Sequence, residues 1–237
     1  MLFRSFKSLR SAKEDLRDLK ADSPLAVAVK LKGAKAVGNR YGLLKDAKLI
    51  PETVLHDSVQ IGRFEVTFAQ FREFDNGCIV ENGHENFPVN GVSFTQAKAY
   101  CQWLSKITGG TYRLPNAAES DSLYGKSSSS ENTLDYWAGG AVNPDDAEKL
   151  QKQIHELPGV APLLKEVGSF KPRFPDEPIF DLDGNVAEWT VTNDGVGRVM
   201  GGSADSTTDQ KGCTRQPSPE YVGFRVVKDQ PIESSSK

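Results

Sequence analysis

The sequence predicts an α+β domain with little regular secondary structure, preceded by an N-terminal helical arm. From Pro51 onward, Gly, Pro and Asn recur at short intervals and the strand-like runs between them are brief. In that part of the chain only residues 94–107 have the apolar periodicity of a convincing helix. The first 50 residues are instead rich in charged, Ala and Leu positions that favour helix.

The predicted arm spans residues 1–50. Residues 2–19 place apolar side chains mostly three or four positions apart, with charged residues between them, as in an amphipathic helix. A second segment begins near Pro24, and it contains Gly33, Gly38 and Gly42, which each lower helix stability by roughly 1 kcal/mol. We expect an arm or a helical hairpin. The sequence leaves open whether it packs on its own chain or docks on a partner chain.

Residues 51–228 are expected to form the domain and residues 229–237 a disordered tail. The helix at 94–107 has Ser93 or Thr95 as its N-cap and Gly109-Gly110 as its stop. Its expected buried face consists of Ala97, Tyr100, Cys101, Leu104 and Ile107. Residues 143–157 indicate a second, exposed helix.

Composition limits the function. The chain has 237 residues with a net charge of −3, and its pI of about 5.7 gives no basic field that would attract nucleic acid or an anionic membrane. The charged opening lacks the apolar run of a signal peptide or a membrane span. Cys78, Cys101 and Cys213 form no CxxC pair, which suits a reducing compartment, so we expect a cytoplasmic protein.

The stretch DLDGNVAEW, residues 181–189, combines carboxylates with a glycine. An EF-hand calcium loop has glycine at its sixth position and a carboxylate at its twelfth, whereas here glycine is fourth and the twelfth residue is Thr192. The stretch is therefore not an EF-hand. Its Asp and Gly, followed by alternating Val186, Glu188 and Trp189, fit a turn that leads into a strand.

Seven stretches in fixed order resemble the formylglycine-generating enzyme family, also called sulfatase-modifying factors. They are FEVTFAQFREF at 64, FPVNGVSFTQAKAYCQWL at 87, YRLPNAAES at 112, VGSF at 167, FDLDGNVAEWT at 180, RVMGGSADS at 198 and VGFRVVK at 222. The resemblance implies a variant of the C-type lectin fold, in agreement with the irregular texture of the sequence.

The resemblance also implies a calcium site in the DLDGNVAE loop. In the relatives the equivalent loop binds calcium through the side chains of its first and last residues and through backbone carbonyls between them. These positions map onto Asp181, Gly184, Val186 and Glu188. The alternative is that Glu188 forms an ion pair with an arginine and no metal binds.

The family's catalysis rests on two cysteines after the GGS stretch, which bind copper as thiolates. Here the first position is Ser206 and the second is near Lys211, while Cys213 stands two residues beyond the expected register. A single thiolate does not make a two-sulfur site, so we expect no copper and no formylglycine generation; Cys213 is a weak candidate for a remaining redox role.

A related branch of oxygen-using enzymes holds iron with histidines of a helical bundle. This chain has only His56, His84 and His155, without an HxxxH pairing, so we expect no iron.

Four residues are expected to be structural. Arg113 and Arg225 lie in apolar settings in which a guanidinium requires a carboxylate partner. The candidate partners are Glu65, Glu119 and Glu188. Trp103 and Trp189 are expected to anchor the core.

The leading functional hypothesis is a noncatalytic domain of this family, stabilised by calcium, that binds a protein or peptide through residues 204–221. Ser206, Lys211 and Arg215 are its candidate ligand surface. Two alternatives remain open. One is a metal-dependent oxidoreductase of the same superfamily. The other is a variable ligand-display protein with a C-type lectin fold.

Overall fold

We describe a computed structural model of the chain. The residues that it describes are 34–124, 147–170, 172, 178–205 and 217–230.

The described residues contain short strands and four α-helices, in agreement with the predicted α+β class. The strands are β1 Ala36–Val37, β2 Arg40–Tyr41, β3 Leu43–Lys45, β4 Lys48–Ile50, β5 Thr53–His56, β6 Val59–Gly62, β7 Tyr112–Arg113, β8 Ala187–Val191, β9 Gly197–Met200, β10 Val222–Gly223 and β11 Val227–Lys228. The helices are α1 Phe68–Phe71, α2 Phe94–Thr108, α3 Ala117–Tyr124 and α4 Ala147–His155.

Residues 36–50 form two small antiparallel hairpins, β1–β2 and β3–β4, so the prediction of helix is wrong for this part of the arm. The glycines explain the difference. Gly38 and Gly42 have φ values of +58° and +125°, and a Cβ on Gly42 would lie 2.4 Å from the carbonyl oxygen of Ile50. Gly38 lies in the turn between β1 and β2, and Gly42 packs closely against β4, so a helix does not continue through either position. Residues 1–33 of the predicted arm lie outside the described residues.

The largest sheet has four strands in the order β5-β6-β11-β7. Every pairing in it is antiparallel, and Val227 of β11 lies opposite both Ile61 and Arg113. The last strand of the described residues therefore completes a sheet whose other strands come from the first half of the chain.

A second sheet has the order β10-β8-β9. Its strand β8 runs parallel to β10, with Glu188 opposite Gly223, and antiparallel to β9, with Glu188 opposite Met200. Gly223 allows close packing, because a Cβ there would lie 2.5 Å from the carbonyl oxygen of Val89. Glu188 thus stands on the central strand of this sheet.

The predicted helix at 94–107 is confirmed as α2. Ser93 is its N-cap and forms a capping box with Gln96, and Gly109 ends it in a left-handed conformation. The exposed helix predicted at 143–157 is confirmed over the nine residues of α4, and residues 143–146 lie outside the described part. Of the expected tail, residues 231–237 also lie outside it.

The largest core cluster lies between α2 and the segment that joins β10 to β11. Its centre is a group of aromatic rings, in which Tyr100 lies 5.4 Å from Phe224 and 5.7 Å from Phe71, measured between ring centroids. Trp103 and Trp189 are half-buried and pack against this cluster from its edge, and the Trp189 indole donates a hydrogen bond to the carbonyl of Val92 at 2.8 Å.

Candidate functional site

The loop from Asp181 to Val186 turns the chain into β8. Asp181 and Asn185 adopt φ values of +63° and +65°, a region that Asp and Asn tolerate better than most residues. The amide of Gly184 donates to the carbonyl of Asp181 at 3.2 Å, which closes the turn. The sequence prediction of a turn that leads into a strand is therefore confirmed.

Asp181 is buried, with only 1% of its surface exposed. Its carboxylate accepts hydrogen bonds from the backbone amides of Gly168 and Phe170. Burial raises the pKa of Asp181 to about 7, against the opposite effect of these two amide bonds. The side chain thereby attaches the loop to the segment at 167–170.

Glu188 and Arg225 form a buried bidentate ion pair. The Arg225 Nε donates to Glu188 Oε2 and its Nη2 donates to Oε1, both at 2.6 Å. The Tyr124 hydroxyl donates to Glu188 Oε2 at 2.7 Å. Burial opposes the charge of Arg225, but Glu188 more than compensates, and the arginine pKa is raised.

Arg225 also donates to two backbone carbonyls, with Nη1 to Gly62 at 3.0 Å and Nη2 to Phe180 at 2.9 Å. Its guanidinium therefore connects β6, the loop and β8. Glu65 is a third carboxyl in the same interior, and burial together with the charges of Asp181 and Glu188 raises its pKa well above the ordinary value. A single arginine thus serves a group of three buried carboxyls, which favours the protonated form of Glu65.

The arrangement does not fit the predicted calcium ligands. Both oxygens of Glu188 are bound by Arg225 and Tyr124, and both oxygens of Asp181 are bound by backbone amides. The two carboxylates predicted to bind the metal, Asp181 and Glu188, thus accept from two separate groups of hydrogen-bond donors. Within the part of the chain that the structure describes, no grouping of three or more His, Cys, Asp or Glu residues suits a metal ion. The ion pair between Glu188 and an arginine that the alternative named is present.

The second structural arginine also has the expected kind of partner. Arg113 binds Glu119 in a bidentate ion pair, with both N–O distances at 2.7 Å, and Asp229 at 2.9 Å. Burial opposes ionisation of Glu119, but its hydrogen bonds to Arg113 and to the amide of Asn116 lower its pKa overall. Both predicted arginine pairs are therefore confirmed.

A polar cluster that the sequence did not indicate lies at the base of the predicted ligand surface. Asp205 accepts hydrogen bonds from the hydroxyl of Ser203 at 2.7 Å, from the amide of Ser218 at 3.0 Å and from the side chain of Gln151 at 3.0 Å. His155 Nε2 lies 2.8 Å from the hydroxyl oxygen of Ser218. No motif could have revealed the contact between His155 and Ser218, because 63 residues separate them in sequence.

The candidate ligand residues Ser206, Lys211 and Arg215, together with Cys213, lie outside the described residues. The start of their segment is nevertheless well defined. Ala204 is buried and its amide donates to the carbonyl of Asn185 at 2.9 Å. A Cβ on Gly202 would lie 2.4 Å from the carbonyl oxygen of Asp183, so this position requires glycine.

The fold and the loop define a class of protein, and the comparison with known families agrees. Residues 27–230 match the family described as Sulfatase-modifying factor enzyme 1-like domain. The chain therefore belongs to this family, as the resemblance of its motifs predicted, and has its C-type-lectin-like fold. No curated protein matches the chain closely enough to count as a relative.

Solved structures with a similar fold include three of low sequence identity. The alignment with the crystal structure of CarF has 20% sequence identity and covers 73% of this chain and 87% of the CarF chain, with a TM-score of 0.49. Treponema denticola variable protein 1 is 17% identical over 83% of this chain and 98% of its own, with a TM-score of 0.48. PvdO from Pseudomonas aeruginosa is 18% identical over 73% of this chain and 80% of its own, with a TM-score of 0.45.

No helix within the described residues is both long enough and apolar enough to cross a bilayer.

Proposed function

We propose that this chain is a noncatalytic member of its family that binds a protein or peptide through the surface at 204–221. The observation that carries the proposal is the composition of that surface. Asp205 and Ser218 are joined by a hydrogen bond of 3.0 Å, so the two ends of the segment 206–216 are held together. Between them the sequence supplies only Cys213 as a thiol, where copper chemistry in the family needs a cysteine pair.

The other two cysteines are poor substitutes for the missing thiolate. Cys101 lies on the buried face of α2 and is 3% exposed, and burial raises its pKa to about 12. Burial likewise raises the pKa of Cys78. Both thiols therefore stay protonated at neutral pH, and a thiol must lose its proton to bind copper. Both also belong to the α2 cluster, whereas Ala204 belongs to a different core cluster.

The ligand class follows from the charges on the surface. Lys211 and Arg215 are the cations of the segment 206–216, and Asp209 is its acidic residue. We therefore expect an extended peptide that carries carboxylates, since an arginine binds such groups in bidentate geometry. A cytoplasmic location is part of the same proposal, and the unpaired thiols of Cys78 and Cys101 are compatible with a reducing compartment.

The test has two parts, a peptide selection and an assay of formylglycine formation, and both use the full chain. A random-peptide display library is the probe, and enriched peptides are measured for affinity against the double variant Lys211→Glu/Arg215→Glu. We expect a loss of at least tenfold, whereas the matched charge reversal Lys98→Glu, on the exposed side of α2, leaves the affinity unchanged. Failure to enrich any peptide sequence would contradict the binding role.

The absence of catalysis is tested with a cysteine-containing peptide, copper and oxygen. Mass spectrometry is expected to find the peptide thiol without conversion to formylglycine. Conversion that is lost in Cys213→Ser would overturn the noncatalytic assignment and restore the oxidoreductase alternative.

A further inference from the structure

The hydroxyl of Ser218 and the imidazole of His155 form a contact that the proposed binding role does not use. Ser218 precedes a short 3-10 helix at Pro219–Tyr221, and its side chain makes no capping hydrogen bond to that helix. His155 is the last residue of α4. The Ser218 Oγ and the His155 Nε2 are 2.8 Å apart, which is the distance at which a histidine can act as general base toward a serine.

The surrounding contacts leave the hydroxyl proton of Ser218 available to His155. The amide nitrogen of the Gln151 side chain donates to Ser218 Oγ at 3.3 Å, while the same nitrogen lies 3.0 Å from Asp205 Oδ2. Ser218 Oγ accepts from Gln151 and can still donate its own proton to His155 Nε2. In that arrangement the neutral imidazole carries its proton on Nδ1 and Nε2 is the acceptor.

Two carboxylates complete the site. Asp205 is 1% exposed. Its carboxylate accepts hydrogen bonds from the backbone amide of Ser218 and from the side chain of Gln151. These bonds fix the position of the Ser218 hydroxyl. Glu220 Oε1 lies 3.4 Å from His155 Nε2. This carboxylate can accept a hydrogen bond from Nε2 once that nitrogen carries the serine proton.

We propose that Ser218 is an acylable nucleophile with His155 as its general base and Glu220 as the hydrogen-bond acceptor for the protonated Nε2. Ser218 Oγ attacks the carbonyl carbon of an activated ester and its proton passes to His155 Nε2. The bond from that carbon to the leaving oxygen breaks, which gives acyl-Ser218 and the released alcohol or phenolate. Ser218 is 9% exposed, so the acyl group must be small, such as acetyl.

This proposal goes beyond the binding role and does not depend on it. Peptide binding without acylation would support only the binding role. Acylation without peptide binding would support only the nucleophilic role of Ser218.

The probe is p-nitrophenyl acetate, applied to the full chain at neutral pH. We expect a burst of p-nitrophenolate of about one equivalent and a single acetyl group, which peptide mapping places on Ser218. Ser203 is the internal control, because its hydroxyl donates to a carboxylate instead of an imidazole and should stay unmodified.

The variants His155→Gln and Ser218→Ala are compared with the unchanged chain after circular dichroism has shown that both are folded. His155→Gln should slow acetylation at least tenfold, since general-base catalysis contributes about 10²–10⁴-fold. Glu220→Gln should slow it by a smaller factor.

Acetylation elsewhere but not on Ser218, or a burst that persists in Ser218→Ala, would overturn the proposal. So would an equal rate in a folded His155→Gln variant. Should that variant fail to fold, Glu220→Gln decides instead, and an unchanged rate in it counts against the site.

Discussion

Arg225 shows how much of this fold depends on one buried charge. Its guanidinium is 0% exposed and binds both oxygens of Glu188 as well as two backbone carbonyls. Desolvation of two ions costs several kcal/mol, and the ion pair repays this cost only through good geometry and further hydrogen bonds. Removing the arginine alone would leave Glu188 buried without its countercharge.

Replacement of Arg225 by Met tests this dependence. We expect the free energy of unfolding to fall by about 3–5 kcal/mol, because a buried carboxylate loses its cation. Urea unfolding followed by fluorescence measures the change. The matched control is Arg113→Met, which breaks the partly buried ion pairs with Glu119 and Asp229 and should cost about 1 kcal/mol. The expectation fails if the two variants lose equal stability.

A second variant separates the ion pair from the space it fills. Arg225→Met combined with Glu188→Leu removes both charges, so stability should recover at least half of what Arg225→Met loses. Full recovery is not expected, because the Tyr124 hydroxyl loses its acceptor. A double variant no more stable than Arg225→Met would show that packing, and not the unpaired charge, is responsible.

The sequence could predict that Arg225 needs a carboxylate, but not which one. Glu65 and Glu188 both come to lie near it, and the choice depends on β8 pairing with β10, which brings Glu188 opposite Gly223. The calcium prediction rested on the resemblance to the family alone, because the sequence does not reveal which groups contact Asp181 and Glu188. The roles of Asp181 and Glu188 are set by amides and by an arginine that are distant from them in sequence.

At the scale of elements, the prediction succeeded where the signals are local. The limits of α2 could be read from Ser93 and Gly109, and its buried face from apolar spacing. The strands β3 and β4 were missed because Leu, Lys and Ala favour helix, while the pairing of Leu43 with Ile50 is a tertiary preference that overrides them.

The cap of α2 gives a prediction at this scale. Ser93→Ala removes the acceptor for the amide of Gln96, so we expect a loss of about 1 kcal/mol in the free energy of unfolding. Ser93→Asp keeps an acceptor and should remain within a few tenths of a kcal/mol of the unchanged chain. Thermal unfolding of the three proteins measures the difference, and equal losses in both variants would exclude capping as the cause.

At the scale of the whole molecule, the chain near its C-terminus closes the domain. Strand β11 lies between β6 and β7, while Arg225 reaches the carbonyl of Gly62, which is 163 residues away in sequence. Such contacts have no local signature, so the sequence could suggest a terminal strand but not its neighbours. They also join the two ends of the domain into one cooperative unit.

Truncation tests this cooperativity. Removing residues 222–237 deletes β10, β11 and the buried side chains of Phe224, Arg225 and Val226, and it leaves Ile61 without its partner Val227. We expect loss of the cooperative thermal transition and of the native near-ultraviolet circular dichroism, because the largest core cluster loses two of its members and both larger sheets lose a strand. The matched control removes only residues 231–237, a polar stretch that we predict to be dispensable, and should unfold at the temperature of the full chain. A cooperative transition that survives the longer truncation would mean that the first half of the chain is stable without β11, which the order β5-β6-β11-β7 argues against.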